Sequence, residues 1–269
     1  MDIFSKKLSV RFGDIDKSDT LTAASAFDFF QEAAMSHAEI LGVGREVMKT
    51  SGRVWILSRM SVFMERRPRF GETITVRSWP RGTSTIFAVR DYDIRDAGDN
   101  IIIRGRSGWL ILDMEKRRPL RPQAVVEALP PNEGLDSLPG TSAGSAAPSG
   151  LHPAFAEYTP DSPHVFHTTR TARYSDIDYN GHVNNTRYIQ WIQDLFDPPA
   201  ILENARSMRI DINYLSEVKS GETVELFLGP VTYAEARKYY PDPLSPAFAI
   251  EGRRNGEAVF RAELCTGIS

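Results

Sequence analysis

At 269 residues the chain is long enough for one large or two small domains, each with its own core. Its 41% hydrophobic and 25% charged residues exclude a disordered or fibrous protein, and a net charge of -3 argues against general nucleic-acid binding. A single cysteine, Cys265, excludes an intramolecular disulfide and any cysteine-based metal site; in its strand-like run a buried structural thiol is expected. The opening Met-Asp-Ile-Phe-Ser-Lys-Lys has no apolar run behind its charges and nothing later is long enough to span a membrane, so a cytoplasmic location is expected.

The segment Arg11-Phe-Gly-Asp-Ile-Asp16 comes first, and behind it Leu21, Phe27, Phe29 and Phe30 give the apolar spacing of a helix. Four runs alternate or are rich in branched and aromatic residues, and are read as strands: Val54 to Phe63, Glu72 to Trp79, Thr85 to Ile94 and Ile101 to Leu112. Asp96-Ala-Gly-Asp99 marks a turn between the last two. Basic residues cluster at Arg66, Arg67 and Arg69 and again at Lys116, Arg117, Arg118 and Arg121, as solvated faces or as docking patches for an acidic partner. From Pro130 to Pro163 the chain is crowded with Pro, Gly, Ser and Ala, too poor in apolar surface to hold a regular element, and reads as a linker.

Beyond the linker the pattern repeats. Arg173-Tyr-Ser-Asp-Ile-Asp178 matches Arg11 to Asp16 at an offset of 162, and Val183, Ile189, Trp191 and Ile192 stay in phase with Leu21, Phe27, Phe29 and Phe30. Lys219-Ser-Gly-Glu-Thr-Val224 matches Arg69-Phe-Gly-Glu-Thr-Ile74 at an offset of 150, which leaves 12 extra residues in the first copy near Leu41 to Arg53. Met208 to Tyr214, Glu222 to Leu228, Ala247 to Arg253 and Ala258 to Thr266 are the second set of strands, with Arg254-Asn-Gly-Glu257 as a hairpin turn. The chain therefore reads as a tandem duplication of an α+β unit, a helix on one face of an antiparallel sheet. The expected division is 1–129, a linker at 130–163, and 164–269.

Chemistry concentrates between Tyr174 and Tyr188, where Asp178, Asn180 and His182 occupy alternate positions. In an extended stretch those side chains share a face. Asn184 or Asn185 is the expected cap of a helix that carries Tyr188, Ile189, Trp191, Ile192 and Leu195 at near-helical spacing. Unpaired amides at that helix end, helped by the dipole, favour an oxyanion. An acid, an amide and an imidazole there make a hydrolytic site for an ester or thioester. The first copy keeps Asp16 opposite Asp178 but has Ser18 and Thr20 opposite Asn180 and His182.

The Asp-x-Asn-x-His motif ahead of a helix resembles the hotdog-fold thioesterases, and the tandem form with the motif in the second copy only resembles the fatty acyl-ACP thioesterases. The resemblance runs from Val10 to Leu264 apart from the linker. It rests on Asp178-Tyr-Asn-Gly-His-Val-Asn-Asn185 with Tyr188 and Ile189, on Tyr214-Leu-Ser-Glu-Val218, and on Trp109 to Pro119. It implies a tandem (double) hotdog, each unit an antiparallel β-sheet wrapped around a long central α-helix. The implied reaction is hydrolysis of long-chain fatty acyl-ACP to free fatty acid and ACP.

The same resemblance adds Glu217 to the catalytic set of Asp178, Asn180 and His182, with Arg67 opposite it in the first copy. His182 and Glu217 would activate a water, Asn180 and helix amides would hold the carbonyl oxygen, and Asp178 would orient Asn180 or His182. Attack by Asp178 or Glu217 through an anhydride stays open. Some relatives carry a cysteine after the acidic residue; Val218 here excludes a Cys-His-Asn mechanism. Because the family places its acyl pocket in the first copy, Phe27, Phe30, Trp55 and Met60, with Met35, Ile56 and Phe63, are either plain core or tunnel wall. Arg66, Arg67 and the second basic cluster would meet an acidic carrier. No metal or organic cofactor is implied, nothing dictates a homodimer, and three other readings remain: an acyl-CoA thioesterase of the same fold, a non-catalytic acyl-binding protein and a hydroxyacyl dehydratase.

Overall fold

The first of two units, Met1–Gly144, is built on strands whose alternate residues turn inward. In the computed structural model, which describes residues 3–84, 86–122, 129–130, 132, 134–138, 165–196, 199–231 and 247–267, the second unit is Ser145–Ser269. Unit one contains β1 (Phe4–Ser9), α1 (Ala23–Ile40), α2 (Arg45–Thr50), β2 (Arg53–Met64), β3 (Thr73–Ser84), β4 (Phe87–Arg95), β5 (Ile101–Asp113) and β6 (Arg118–Leu120). Its strands pair antiparallel in the order β1-β3-β4-β5-β2, with β6 added to β5.

Thr22 caps α1 through a 3.1 Å bond accepted from the Ser25 amide. The helix buries Ala23, Ala26, Phe27, Phe30, Ala33, Ala34 and His37, and it packs against β3 and β1. Small alanines let it approach the sheet, and Phe30 fills the space left, stacking on Tyr92 with centroids 4.8 Å apart. Gly105 is required there, because a Cβ would come within 2.6 Å of the Phe30 ring. Met35 is 38% exposed and lies outside the buried core.

Unit two contains β7 (Phe166–Thr171), α3 (Asn185–Gln193), α4 (Ala200–Glu203), β8 (Ser207–Tyr214), β9 (Thr223–Val231), β10 (Ala247–Arg254) and β11 (Glu257–Gly267). Its sheet runs β7-β9-β10-β11-β8, the same order, by position in the chain, as unit one. The β10–β11 turn is Asn255-Gly256, both at positive φ (54° and 83°), the geometry of a two-residue hairpin.

The long helix expected in both copies occurs only in the first, since α3 has 9 residues against 18 in α1. Asp197-Pro198-Pro199 follows in the sequence, and proline neither donates the helical bond nor tolerates a helical predecessor. The surplus of the first copy lies in the longer helix α1 and in the strand after it, 12 residues in β2 against 8 in β8, and not near Leu41 to Arg53 as expected: the connection there carries α2 just as that of unit two carries α4. Strands β1, β6 and β7 have no sequence signal: their residues are mostly polar and exposed.

The stretch read as linker begins against unit one. Ser137 donates its amide to Asp91 at 2.9 Å, Arg106 reaches Asp136 at 2.6 Å, and Leu138 is buried. Residues 139–163 lie outside the described residues, as does Thr85, the expected start of β4. Among the described residues no helix is long and apolar enough to cross a membrane.

Candidate active site

In unit two the loop between β7 and α3 is pinned at three points. The Asp176 carboxylate accepts the Arg173 amide at 2.8 Å, its carbonyl accepts the Asn184 amide at 2.8 Å, and the Asp178 amide bonds the His182 carbonyl at 2.8 Å. Gly181 bonds back to Asp178 at 3.0 Å with φ 84°, so residues 178–182 form a tight turn and not the extended stretch expected. Asp178 bonds the Asn180 amide at 2.8 Å and its side chain at 3.4 Å, with Asn180 exposed.

His182 closes the turn against Asp178 and runs beside the Glu217 loop. Its backbone bridges Lys219, Val183 donates to the Val218 carbonyl at 2.8 Å, and the imidazole is carried alongside residue 217. His182 Nε2 lies 3.1 Å from Glu217 Oε2, with the imidazole 26% and the carboxylate 59% exposed. A carboxylate only accepts, so Nε2 carries the proton and the neutral ring keeps a lone pair on Nδ1. Water reaches both groups.

The Glu217 loop is held by groups that sequence reading missed. Arg254 donates to the Glu217 carbonyl at 2.8 Å and to Ser216 Oγ at 3.3 Å, and pairs with Glu222. Glu222 in turn accepts the Lys219 amide at 2.7 Å. Tyr188, buried in edge contact with Trp191, Tyr214 and Phe260, bonds the Val218 backbone, and burial pushes its phenol above the usual range. Only the position of Arg254 at the mouth of an Asn-Gly hairpin could have drawn attention to it.

Asn184 is the cap of α3, its side chain accepting the Thr186 amide at 3.0 Å. The Asn185 amide has no hydrogen-bond partner among the described residues, which leaves an N–H at a helix N-terminus beside the loop.

The corresponding loop of unit one is closed on itself. Asp16 accepts the Ser18 amide at 2.9 Å, the Ser18 hydroxyl at 2.6 Å and Arg67 Nη1 at 2.9 Å. Burial works against ionisation of Asp16, yet the Ser18 bond and the Arg67 charge outweigh it and hold the carboxyl below its ordinary value.

Of the residues assigned to substrate, Phe27, Phe30 and Met60 are buried in unit one, and Trp55 is half-buried with its indole N–H on the Val43 carbonyl at 2.9 Å. Arg66 contacts both oxygens of Glu72 at 3.0 Å, and Arg67 is buried against Asp16. Cys265 is buried, which pushes its thiol up to about 12 and leaves it protonated and inert.

The fold is shared with solved thioesterases. An acyl-ACP thioesterase from Bacteroides thetaiotaomicron superposes with a TM-score of 0.77 at 24% identity over 98% of this chain and 97% of that one. The 12:0-ACP thioesterase from Umbellularia californica gives 0.76 at 19% identity, over 98% and 96%. Antiparallel sheet with few helices, as in these proteins, is a hotdog-like architecture. Residues 1–128 match the acyl-ACP thioesterase N-terminal domain and residues 162–260 the acyl-ACP thioesterase C-terminal domain, and the chain belongs to the acyl-ACP thioesterase family. A palmitoyl-acyl carrier protein thioesterase of Cuphea hookeriana is 27% identical over 223 residues, 80% of this chain and 52% of that protein. A dodecanoyl-[acyl-carrier-protein] hydrolase of Cinnamomum camphora is 25% identical over 80% of this chain and 56% of its own length. The chain spans about half the length of the plant relatives it matches.

Proposed function

We propose that the chain hydrolyses the thioester of long-chain fatty acyl-ACP, releasing the free fatty acid and the carrier thiol. The observation that carries this reading is the 3.1 Å His182–Glu217 pair, open to water beside the N-terminus of α3. Glu217 fixes the imidazole with Nε2 protonated, and Nδ1 takes a proton from water as its oxygen attacks the carbonyl. The developing oxyanion is met by the Asn185 amide and the Asn180 side chain, with Asp178 orienting Asn180. Collapse breaks the C–S bond, and the proton held by His182 goes to the departing thiolate. No cofactor enters this scheme.

Family membership and the acyl-ACP hydrolase names of the plant relatives support the carrier. The architecture is read as a tandem hotdog: residues 1–129 are the non-catalytic unit with α1 as central helix and Phe27, Phe30, Trp55 and Met60 toward the acyl chain. Residues 130–163 are the connection, and 164–269 the catalytic unit.

Thiol release from matched palmitoyl-ACP and palmitoyl-CoA tests the reading, with His182→Ala alongside. The expected result is preference for palmitoyl-ACP and a loss of about 10²–10⁴ in kcat in the variant, the range for removing a general base. Preference for palmitoyl-CoA would reassign the chain to acyl-CoA hydrolysis. Turnover of neither would leave an acyl-binding protein.

A further inference from the structure

The two basic clusters fare differently in the fold. Arg66 is paired with Glu72, Arg67 with Asp16, and Arg69 lies 3.9 Å from Asp19, so the first cluster is largely neutralised from within. The second sits on the β5–β6 hairpin, whose tip spans residues 114–117 with Arg117 at φ 49°. Lys116, Arg117, Arg118 and Arg121 are all exposed, and none forms an ion pair with the described residues. Asp113 feels Lys116 and Arg118 only at longer range, and spends its Oδ1 on the backbone amides of Glu115 and Lys116. Four cations within six residues, 116–121, with no acid among them, thus stand without an ion-pair partner among the described residues, on a chain whose net charge is -3.

We propose that this hairpin is a docking surface for an acidic protein face, and that its partner is the carrier that brings the acyl chain; the identity of the partner rests on the reading above. Exposed like charges concentrated on a hairpin repel one another, and that cost is relieved only when an opposite surface approaches. Such a surface steers encounter and fixes orientation, so it acts on association and fades with added salt. A membrane is a poorer fit: the hairpin's end, residues 110–121, offers Met114 as its one large exposed apolar side chain and has no aromatic residue. Pairing of β6 to β5 holds the cations on a fixed scaffold, so little ordering is needed on contact.

The test is the triple variant Lys116→Glu/Arg117→Glu/Arg121→Glu, assayed with palmitoyl-ACP and with palmitoyl-pantetheine, which lacks the carrier protein. Expected is a fall of about tenfold or more in kcat/KM for palmitoyl-ACP, a weaker salt dependence than wild type, and unchanged turnover of palmitoyl-pantetheine. Equal loss on both substrates, or no loss on palmitoyl-ACP, would overturn the proposal. Should wild type turn over neither, the hydrolase reading fails by itself. Anisotropy with labelled holo-ACP then decides the hairpin: binding to wild type and not to the variant supports it, equal binding overturns it. Vesicles of phosphatidylglycerol serve as the competing surface, and capture of wild type but not of the variant would assign the hairpin to lipid instead.

Discussion

In unit one Asp16 is answered by Ser18 and by the guanidinium of Arg67; in unit two, at matching positions, Asp178 is answered by Asn180, and the group beside the imidazole is Glu217. Around both lies the same frame. An aspartate-closed turn precedes each loop (Asp14 and Asp176), Ile15 bridges Leu21 as Ile177 bridges Val183, Thr20 bridges Arg69 as His182 bridges Lys219, and a polar cap follows. What the comparison teaches is that frame and chemistry separate cleanly. A carboxylate whose acceptors are used up and whose charge is cancelled stabilises; one set against an imidazole, with both open to water, can do proton work.

The sharpest way to break the comparison is to remove each unit's distinguishing group. Glu217→Gln keeps the shape and loses the charge that favours the protonated imidazole, so kcat should fall about 100-fold, or ~2.7 kcal/mol of barrier. Arg67→Gln at the matching position of unit one should leave kcat within about twofold wherever the protein remains folded. Comparable losses in both variants would mean that the two loops do not divide the labour, and steady-state thiol release measures this directly.

Asp16→Asn attacks stability instead. It leaves Arg67 buried without its counter-charge, at a cost of about 2–3 kcal/mol, under the roughly 3–5 kcal/mol of a fully buried pair because Asp16 is partly exposed. The pH dependence has a definite sign. The folded carboxyl lies below its ordinary value, so its contribution is present above the unfolded pKa of 3.8 and lost as pH falls through the folded value. Thermal melts at pH 7 should separate wild type from Asp16→Asn, and the gap should narrow as the pH is taken below 3.8. A gap that widens in acid would refute the assignment.

Much of this frame was legible because it was written twice. The offsets of 162 and 150 pointed to the duplication and the strands, and the alternation of apolar residues to the sheets, but they misplaced the surplus, which lies in α1 and β2. Three things were not legible. Edge strands such as β1 and β7 are held by backbone pairing on one side and need no apolar pattern. The shortening of α3 depends on two prolines whose effect outweighs the apolar spacing before them. The turn at Gly181 brings Asp178 onto Asn180, where spacing alone predicted an extended stretch.

Arg254 gives the smallest expected effect and the finest comparison. In unit one Glu72 is held by Arg66, from the same loop; in unit two the position matching Arg66 is Ser216, and the cation for Glu222 comes from the end of β10. That exchange lets a single guanidinium grip Glu222, the Glu217 carbonyl and Ser216 together. Arg254 touches no reacting atom in the proposed scheme, so it is a positioning residue. Arg254→Gln should lower kcat about tenfold, ~1.4 kcal/mol, through a Glu217 displaced from the imidazole. A merely structural role would lower the melting temperature and leave kcat of the folded enzyme in place. Positioning predicts that the loss falls on kcat with KM and the melting temperature little changed, and that Arg254→Lys recovers part of the rate.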